Sequence, residues 1–242
     1  MRRAPVTMLI AFSMLPAAVA AQTALRIQPL TVEVTSPSQA SSITLQNRGA
    51  NPISLQARVF EWSQANGEDR VVPTTDVVAS PPAMTIPTGQ SYTVRLARTA
   101  GAVNAGEKSY RLWIDELPKP AAPMPNGGGE VDVRLRYDLP VFFREGNPQP
   151  SLAWRAYRSG NQLVLEASNS GAGHARIEGL HVEGGQDAVS FGKGLNGYVL
   201  PGATRRWIAP AGARLPNANS NVTVVAGVDG REIRQATTIA SR

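Results

Sequence analysis

The residue types that carry most enzyme chemistry are scarce in this 242-residue chain. It has no cysteine, which removes thiol nucleophiles, thiolate metal sites and disulfides together. Its two histidines, His174 and His181, are not spaced as a paired-histidine metal motif, and no cysteine can join them. His181 falls between Leu180 and Val182 and reads as the polar face of a strand. Neither a Gly-x-Ser-x-Gly elbow nor a His-Glu-x-x-His motif occurs. Gly127-Gly128-Gly129 and Gly192-Lys193-Gly194 lack the Lys-Ser/Thr of a phosphate loop, so both read as turns. Asn221-Val222-Thr223 fits the glycosylation triplet, a pattern short enough to arise by chance. The carboxylates are scattered. The expectation is a protein that is not an enzyme, with no catalytic residue, metal or cofactor.

What the chain does offer is main-chain and apolar chemistry in one long ribbon. From Val131 to Phe143 the odd positions are Val131, Val133, Leu135, Tyr137, Leu139, Val141 and Phe143, all apolar. The even positions, Asp132, Arg134, Arg136, Asp138, Pro140 and Phe142, are mostly polar. A strand turns successive side chains to opposite faces, so this is one apolar edge with a charged back. Strands usually run about five or six residues, which makes this one long for closing a single core. Two readings stay open: a core strand bent at Pro140, or a strand whose first half is exposed as a template for another protein's strand.

The elements around the ribbon point to an all-β chain. Residues 1–21 read as a signal peptide, with basic Arg2 and Arg3, an apolar stretch from Met8 to Leu15, and Ala18-Val19-Ala20 at the cleavage site. That apolar run is too short to span a bilayer, and no later run is long enough, so an exported protein without membrane insertion is expected. The formal charge is +6, two of it from Arg2 and Arg3, and no Lys/Arg block suits nucleic acid.

Alternating segments are expected over 25–34 (interrupted by Pro29), 41–46, 53–62, 91–98 and 108–117, with Val77 leading through Pro81-Pro82 into 84–86. Trp62 reads as a core plug at the end of its strand. Residues 118–129 are too rich in proline and glycine for regular structure. Residues 145–150 form a polar, proline-containing boundary, after which the pattern restarts. Two echoes link the halves. Ile43 to Gly49 resembles Leu165 to Gly171, an apolar strand entering an Asn-x-Gly turn, and Ile86-Pro87-Thr88-Gly89 resembles Leu200-Pro201-Gly202. Two sandwiches of one type are the economical inference.

Several motifs carry a family resemblance. They are Ala79-Ser80-Pro81-Pro82 with Ile86-Pro87-x-Gly89 and Val94-Arg95-Leu96, then Tyr110 to Pro118, then Leu139-Pro140-Val141-Phe142-Phe143-Arg144. In this order they resemble the PapD-like periplasmic chaperones of chaperone–usher pilus assembly, over essentially the whole mature chain. Val59-Phe60-Glu61-Trp62 with the Leu-Pro-Val-Phe-Phe run leans towards the archaic, spore-coat-U-associated branch.

The resemblance implies two immunoglobulin-like domains in an L, with residues 22–145 holding donor strand 131–144 and residues 146–242 forming the second. It implies a periplasmic chaperone that lends its strand to pilus or fimbrial subunits and passes them to an outer-membrane usher. It makes Val131, Val133, Leu135 and Tyr137 the subunit-binding residues. It also places an interdomain ion-pair set at Glu107, Arg144 and Asp229. The family's two carboxylate-anchoring cations fall at Leu30 or Thr31 and at Pro140, none cationic, so Arg136 and Arg26 become the candidate anchors. The rival functions are an exported carbohydrate-binding or adhesive sandwich, which needs clustered exposed aromatics, and a pilus subunit, which needs its donor extension at the N-terminus.

Overall fold

The computed structural model describes residues 25–118, 133–184 and 187–241. The signal peptide, Val131 and most of the Pro118–Gly129 loop lie outside the described residues. Every regular element described is a strand. The first half comprises β1 (Leu25–Gln28), β2 (Val32–Thr35), β3 (Ala40–Asn47), β4 (Ile53–Ala65) and β5 (Glu68–Pro73). It continues through β6 (Val77–Ser80), β7 (Ala83–Ile86), β8 (Ser91–Arg98), β9 (Glu107–Glu116) and β10 (Arg136–Arg144). One sheet has the order β1-β3-β8-β6; the other runs β2-β10-β9-β4-β5, with β7 beside β4. Ile43, Leu45, Val94 and Leu96 from the first meet Leu55, Leu112, Ile114, Val141 and Phe143 from the second in one buried core.

Prolines mark where the chain changes sheet. A proline nitrogen cannot donate to a ladder, so a strand reaching one loses its partner there. β1 pairs antiparallel with β3, and after Pro29 the chain crosses to pair β2 parallel with β10. β6 pairs with β8, and after Pro81-Pro82 β7 pairs with β4. The first expected strand is thus two strands in two sheets, as its interrupting proline indicated.

The second half contains β11 (Leu152–Ser159), β12 (Gln162–Asn169), β13 (Ala175–Gly184) and β14 (Asp187–Ser190). After these come β15 (Leu195–Val199), β16 (Thr204–Ile208), β17 (Asn221–Val228) and β18 (Arg231–Ser241). β18 joins its two layers, pairing antiparallel with β17 through Thr238 and parallel with β11 from Ile239. Trp154, Leu163, Leu165, Ile177, Val182, Val224 and Ile239 close the core between them.

The two sequence echoes become one device used twice. Asn47 is fully buried; its amide donates to Asn51 O and Ile86 O and accepts from Gly49 N. Asn169 is buried likewise, donating to Gly173 O and Val199 O and accepting from Gly171 N. Gly89 N donates to Asn47 O and Gly202 N to Asn169 O, so each asparagine is tied to the turn that echoes in sequence. A buried amide is tolerated because its hydrogen bonds are made, and the same bonds pin strand to turn in each sandwich.

Candidate interaction site

β10 is bound on both edges for only part of its length. Along one edge it pairs with β9 from Arg136 to Arg144, and Glu116 N donates to Leu135 O at 3.0 Å to carry that ladder further. On the other edge β2 covers only Val141 to Arg144. Among the described residues, no strand pairs with that edge between Val133 and Pro140. The stretch is a strand edge with no strand beside it among the described residues, the feature that captures an extended strand.

The side chains divide at the same place. Leu139, Val141 and Phe143 are buried in the first core, and Tyr137 packs half-buried against it. Leu135 is 44% exposed and Val133 73% exposed. The apolar alternation continues past the protein's own core into solvent, where covering a large side chain contributes about 1.5–3 kcal/mol. The second half of the ribbon is a core strand, and at Leu135 and Val133 its first half is exposed. β1 has β3 as its partner and leaves its other edge unpaired among the described residues, and the crossing to β2 exposes Leu30 at 65%.

The charged back of the ribbon lies on the outer face of its sheet, away from the first core. Arg136 hydrogen-bonds Asp115 and lies 4.1 Å over the Trp113 ring, and Arg58 reaches Asp115 at 2.6 Å. Burial pushes the Asp115 carboxyl up, but its hydrogen bonds from Arg136 and Arg58 outweigh this and hold it below the usual carboxylate range. Further in, Arg111 stacks 3.6 Å over Trp62 and meets Asp138 at 3.6 Å. Burial pulls its guanidinium below the ordinary arginine range against the pull of Asp138. Arg26 sits elsewhere. Leu25 and Ile27 point into the core, so Arg26 points out from the opposite sheet, with Gln28 as its partner. The two candidate anchors do not meet, because they lie on the outer faces of different layers.

The junction between the sandwiches corrects two further expectations. Trp62 is buried, but it plugs no sandwich core: it joins Phe142, Tyr198 and Leu200 in a separate apolar cluster drawn from both halves. Glu107, Arg144 and Asp229 do line one small cavity, together with Glu33 and His174. They do not form the expected ion-pair set. Arg144 binds Glu33 at 2.8 Å within its own sandwich, and Asp229 accepts from Arg176 N at 2.9 Å within the other. Glu107 instead meets His174 Nδ1 at 2.8 Å and accepts from His174 N at 3.3 Å. The Glu107 side chain is 1% exposed and the His174 side chain 9%. A carboxylate so buried needs a donor at each step, and a backbone N–H with an imidazole supplies two.

His174 and Gln64 are the residues that motif reading missed. Nothing in the spacing ties His174 to a glutamate 67 positions earlier. The available signal was only that His174 directly precedes a strand after the Asn169 turn.

A family model and several solved structures match the chain. The family described as pili and flagellar-assembly chaperone, PapD N-terminal domain, matches residues 24–148. The chain is similar to a solved CsuC–CsuE chaperone–tip adhesion subunit pre-assembly complex from archaic Csu pili of Acinetobacter baumannii. The identity there is 24% and the TM-score 0.67, covering 91% of this chain and 100% of that one. It is similar to the YadV chaperone at 18% identity and TM-score 0.62, covering 89% and 100%. It is also similar to a Salmonella enterica SafA pilin–SafB chaperone complex at 15% identity and TM-score 0.60, covering 90% and 98%. No curated protein matches the sequence.

Proposed function

The chain belongs to the PapD-type family of pilus-assembly chaperones, and we propose that it caps pilus subunits by lending them the free edge of β10. The observation that carries this is the split of one strand, buried from Leu139 onward and exposed at Leu135 and Val133 with an unpaired edge. A pilin lacking its last strand presents an open groove, and pairing with β10 satisfies its main chain whatever its sequence. Val131, Val133 and Leu135, with Tyr137 as a fourth, fill the groove. Arg136, midway along the free stretch, is the candidate anchor for the subunit's C-terminal carboxylate. The domain division at 145–150, export through the signal peptide 1–21, residence in the periplasm and delivery to an outer-membrane usher complete the reading. The likeness to a chaperone complex of archaic pili supports placement near that branch. A lectin-like role gains nothing from the aromatics, since Trp62 is buried and Arg58 and Arg136 stack over Trp113.

Coexpression with a pilus subunit tests the proposal. The subunit is expected to accumulate and copurify one to one with the wild-type chain, and to be degraded beside the Leu135→Asp variant. Stable subunit in the absence of the chain would overturn it.

A further inference from the structure

We propose that Gln64 is the positioning residue that sets the angle of the second sandwich against the donor edge. The inference rests on the chaperone reading above and adds to it how the two walls of the cleft are held. β4 pairs with β5 from Phe60 to Ala65 against Glu68–Pro73, and past Glu61, where its ladder with β9 ends, it continues as a hairpin with β5 alone. That hairpin reaches the second sandwich, and Gln64 lies on it.

The Gln64 amide behaves as an extra peptide unit for the chain at 198–200. Its Nε2 donates to Tyr198 O at 2.8 Å, and its Oε1 accepts from Leu200 N at 3.0 Å. The same Nε2 donates to Asp69 Oδ1 at 2.8 Å. With two acceptors at one end and a donor at the other, the reversed amide would set like against like, so a single orientation satisfies the site. Asp69 is fixed in turn by Trp62 Nε1 at 3.0 Å and by Arg205 of the second sandwich at 2.6 Å. At the hairpin tip Arg206 N donates to Gly67 O at 3.1 Å. Gly67 has φ +84°, and a Cβ there would lie 2.8 Å from the Arg206 Cβ.

These bonds do something the apolar cluster beneath them cannot. Burial of Trp62, Phe142, Tyr198 and Leu200 favours contact without preferring one rotation over its neighbours. Hydrogen bonds are directional, and two made to alternate main-chain groups fix both the height and the rotation of the partner segment. The angle so fixed bears on capture because Phe142 belongs to both structures: it is in this cluster and lies two residues past Pro140, where the free edge of β10 ends.

The chain has no cysteine of its own, so one spin label can be placed on each sandwich at the exposed positions Thr93 and Gln235 through cysteine substitutions. Pulsed EPR then reads the distance distribution in the full chain. Gln64→Glu keeps the shape but turns an oxygen towards Asp69 and Tyr198 O; Gln64→Met keeps the length and makes no bond. Both are expected to broaden the distribution and to weaken pilin capture roughly fivefold or more, with the far-UV spectrum unchanged. An unchanged narrow distribution in both variants overturns the proposal. A broadened distribution with undiminished capture overturns it as well. Failure of the wild type to capture any pilin counts against the chaperone reading alone, since the distance measurement needs no subunit.

Discussion

The imidazole of His174 lies flat on the ring of Phe142, with centroids 3.6 Å apart and planes within 11° of parallel. The two residues come from different sandwiches, and the same imidazole holds the buried Glu107. One histidine thus joins the second domain to β10 by stacking on Phe142 and to β9 by hydrogen bonding Glu107.

Removing that histidine leaves a buried carboxylate with its main-chain donor alone. His174→Ala is expected to cost about 1–3 kcal/mol in denaturant unfolding, the range for a buried group left unsatisfied. His174→Phe keeps the stack and loses only the hydrogen bond. If both variants unfold with wild-type midpoints, the contact is incidental.

Arg144 is expected to behave quite differently. Its partner Glu33 is on the neighbouring strand of the same sheet, with the two side chains 24% and 41% exposed. An exposed pair is worth about 0–1 kcal/mol. Arg144→Ala should therefore leave the interdomain distance distribution unchanged and lower stability by no more than that. A loosened angle in this variant would restore it to the interdomain role that its neighbours fill.

Substitutions along β10 should sort by which core they serve. Val133→Asp and Leu135→Asp place a charge on an exposed side chain, so the free chain keeps its thermal midpoint while pilin capture is lost. Val141→Asp puts a charge into a fully buried site of the first sandwich, and the domain itself is expected to fail to fold. Capture that survives Leu135→Asp and Val133→Asp together would remove the free edge as the binding site.

Tyr110 gives a stability change in alkali. Burial pushes its hydroxyl up to about 12 from 10.0, Arg98 opposing and Asp76 reinforcing the shift. The hydroxyl donates to Asp76 at 3.1 Å. Its folded value lies above its unfolded one, so its contribution is complete below pH 10.0 and is lost as the pH rises through about 12. Tyr110→Phe cannot ionise. The variant should be less stable than wild type at neutral pH, by about 0.5–1.5 kcal/mol for each hydrogen bond lost, the one to Asp76 and the one from Arg98. That gap should close as alkali is added. A constant gap across the titration would rule the shift out.

Much of the fold was legible because its rules are local. Period-two alternation named β10 and the faces of its neighbours, since each residue's side is decided by the residue before it. Pro29 and Pro81-Pro82 marked the changes of sheet, because a missing N–H is a property of one residue. The repeated Asn-x-Gly turns disclosed two sandwiches of one type before any packing was visible. β5 and β14 were missed for the same reason: Glu68–Pro73 and Asp187–Ser190 are short edge segments that carry no apolar alternation to read.

Only the tertiary structure decided which charges meet and where the apolar ribbon stops being core. Glu107, Arg144 and Asp229 were expected as an ion-pair set; they line one cavity, yet each has another partner. Trp62 looked like a plug for its own sandwich and serves the junction instead. Alternation fixes the side to which a residue points, but not what stands opposite it. That depends on side-chain reach across distances of a few ångströms between segments far apart in the chain. The break between Tyr137 and Leu135 is of this kind: nothing in the ribbon's pattern changes there, yet Tyr137 still packs against the first core and Leu135 lies outside it.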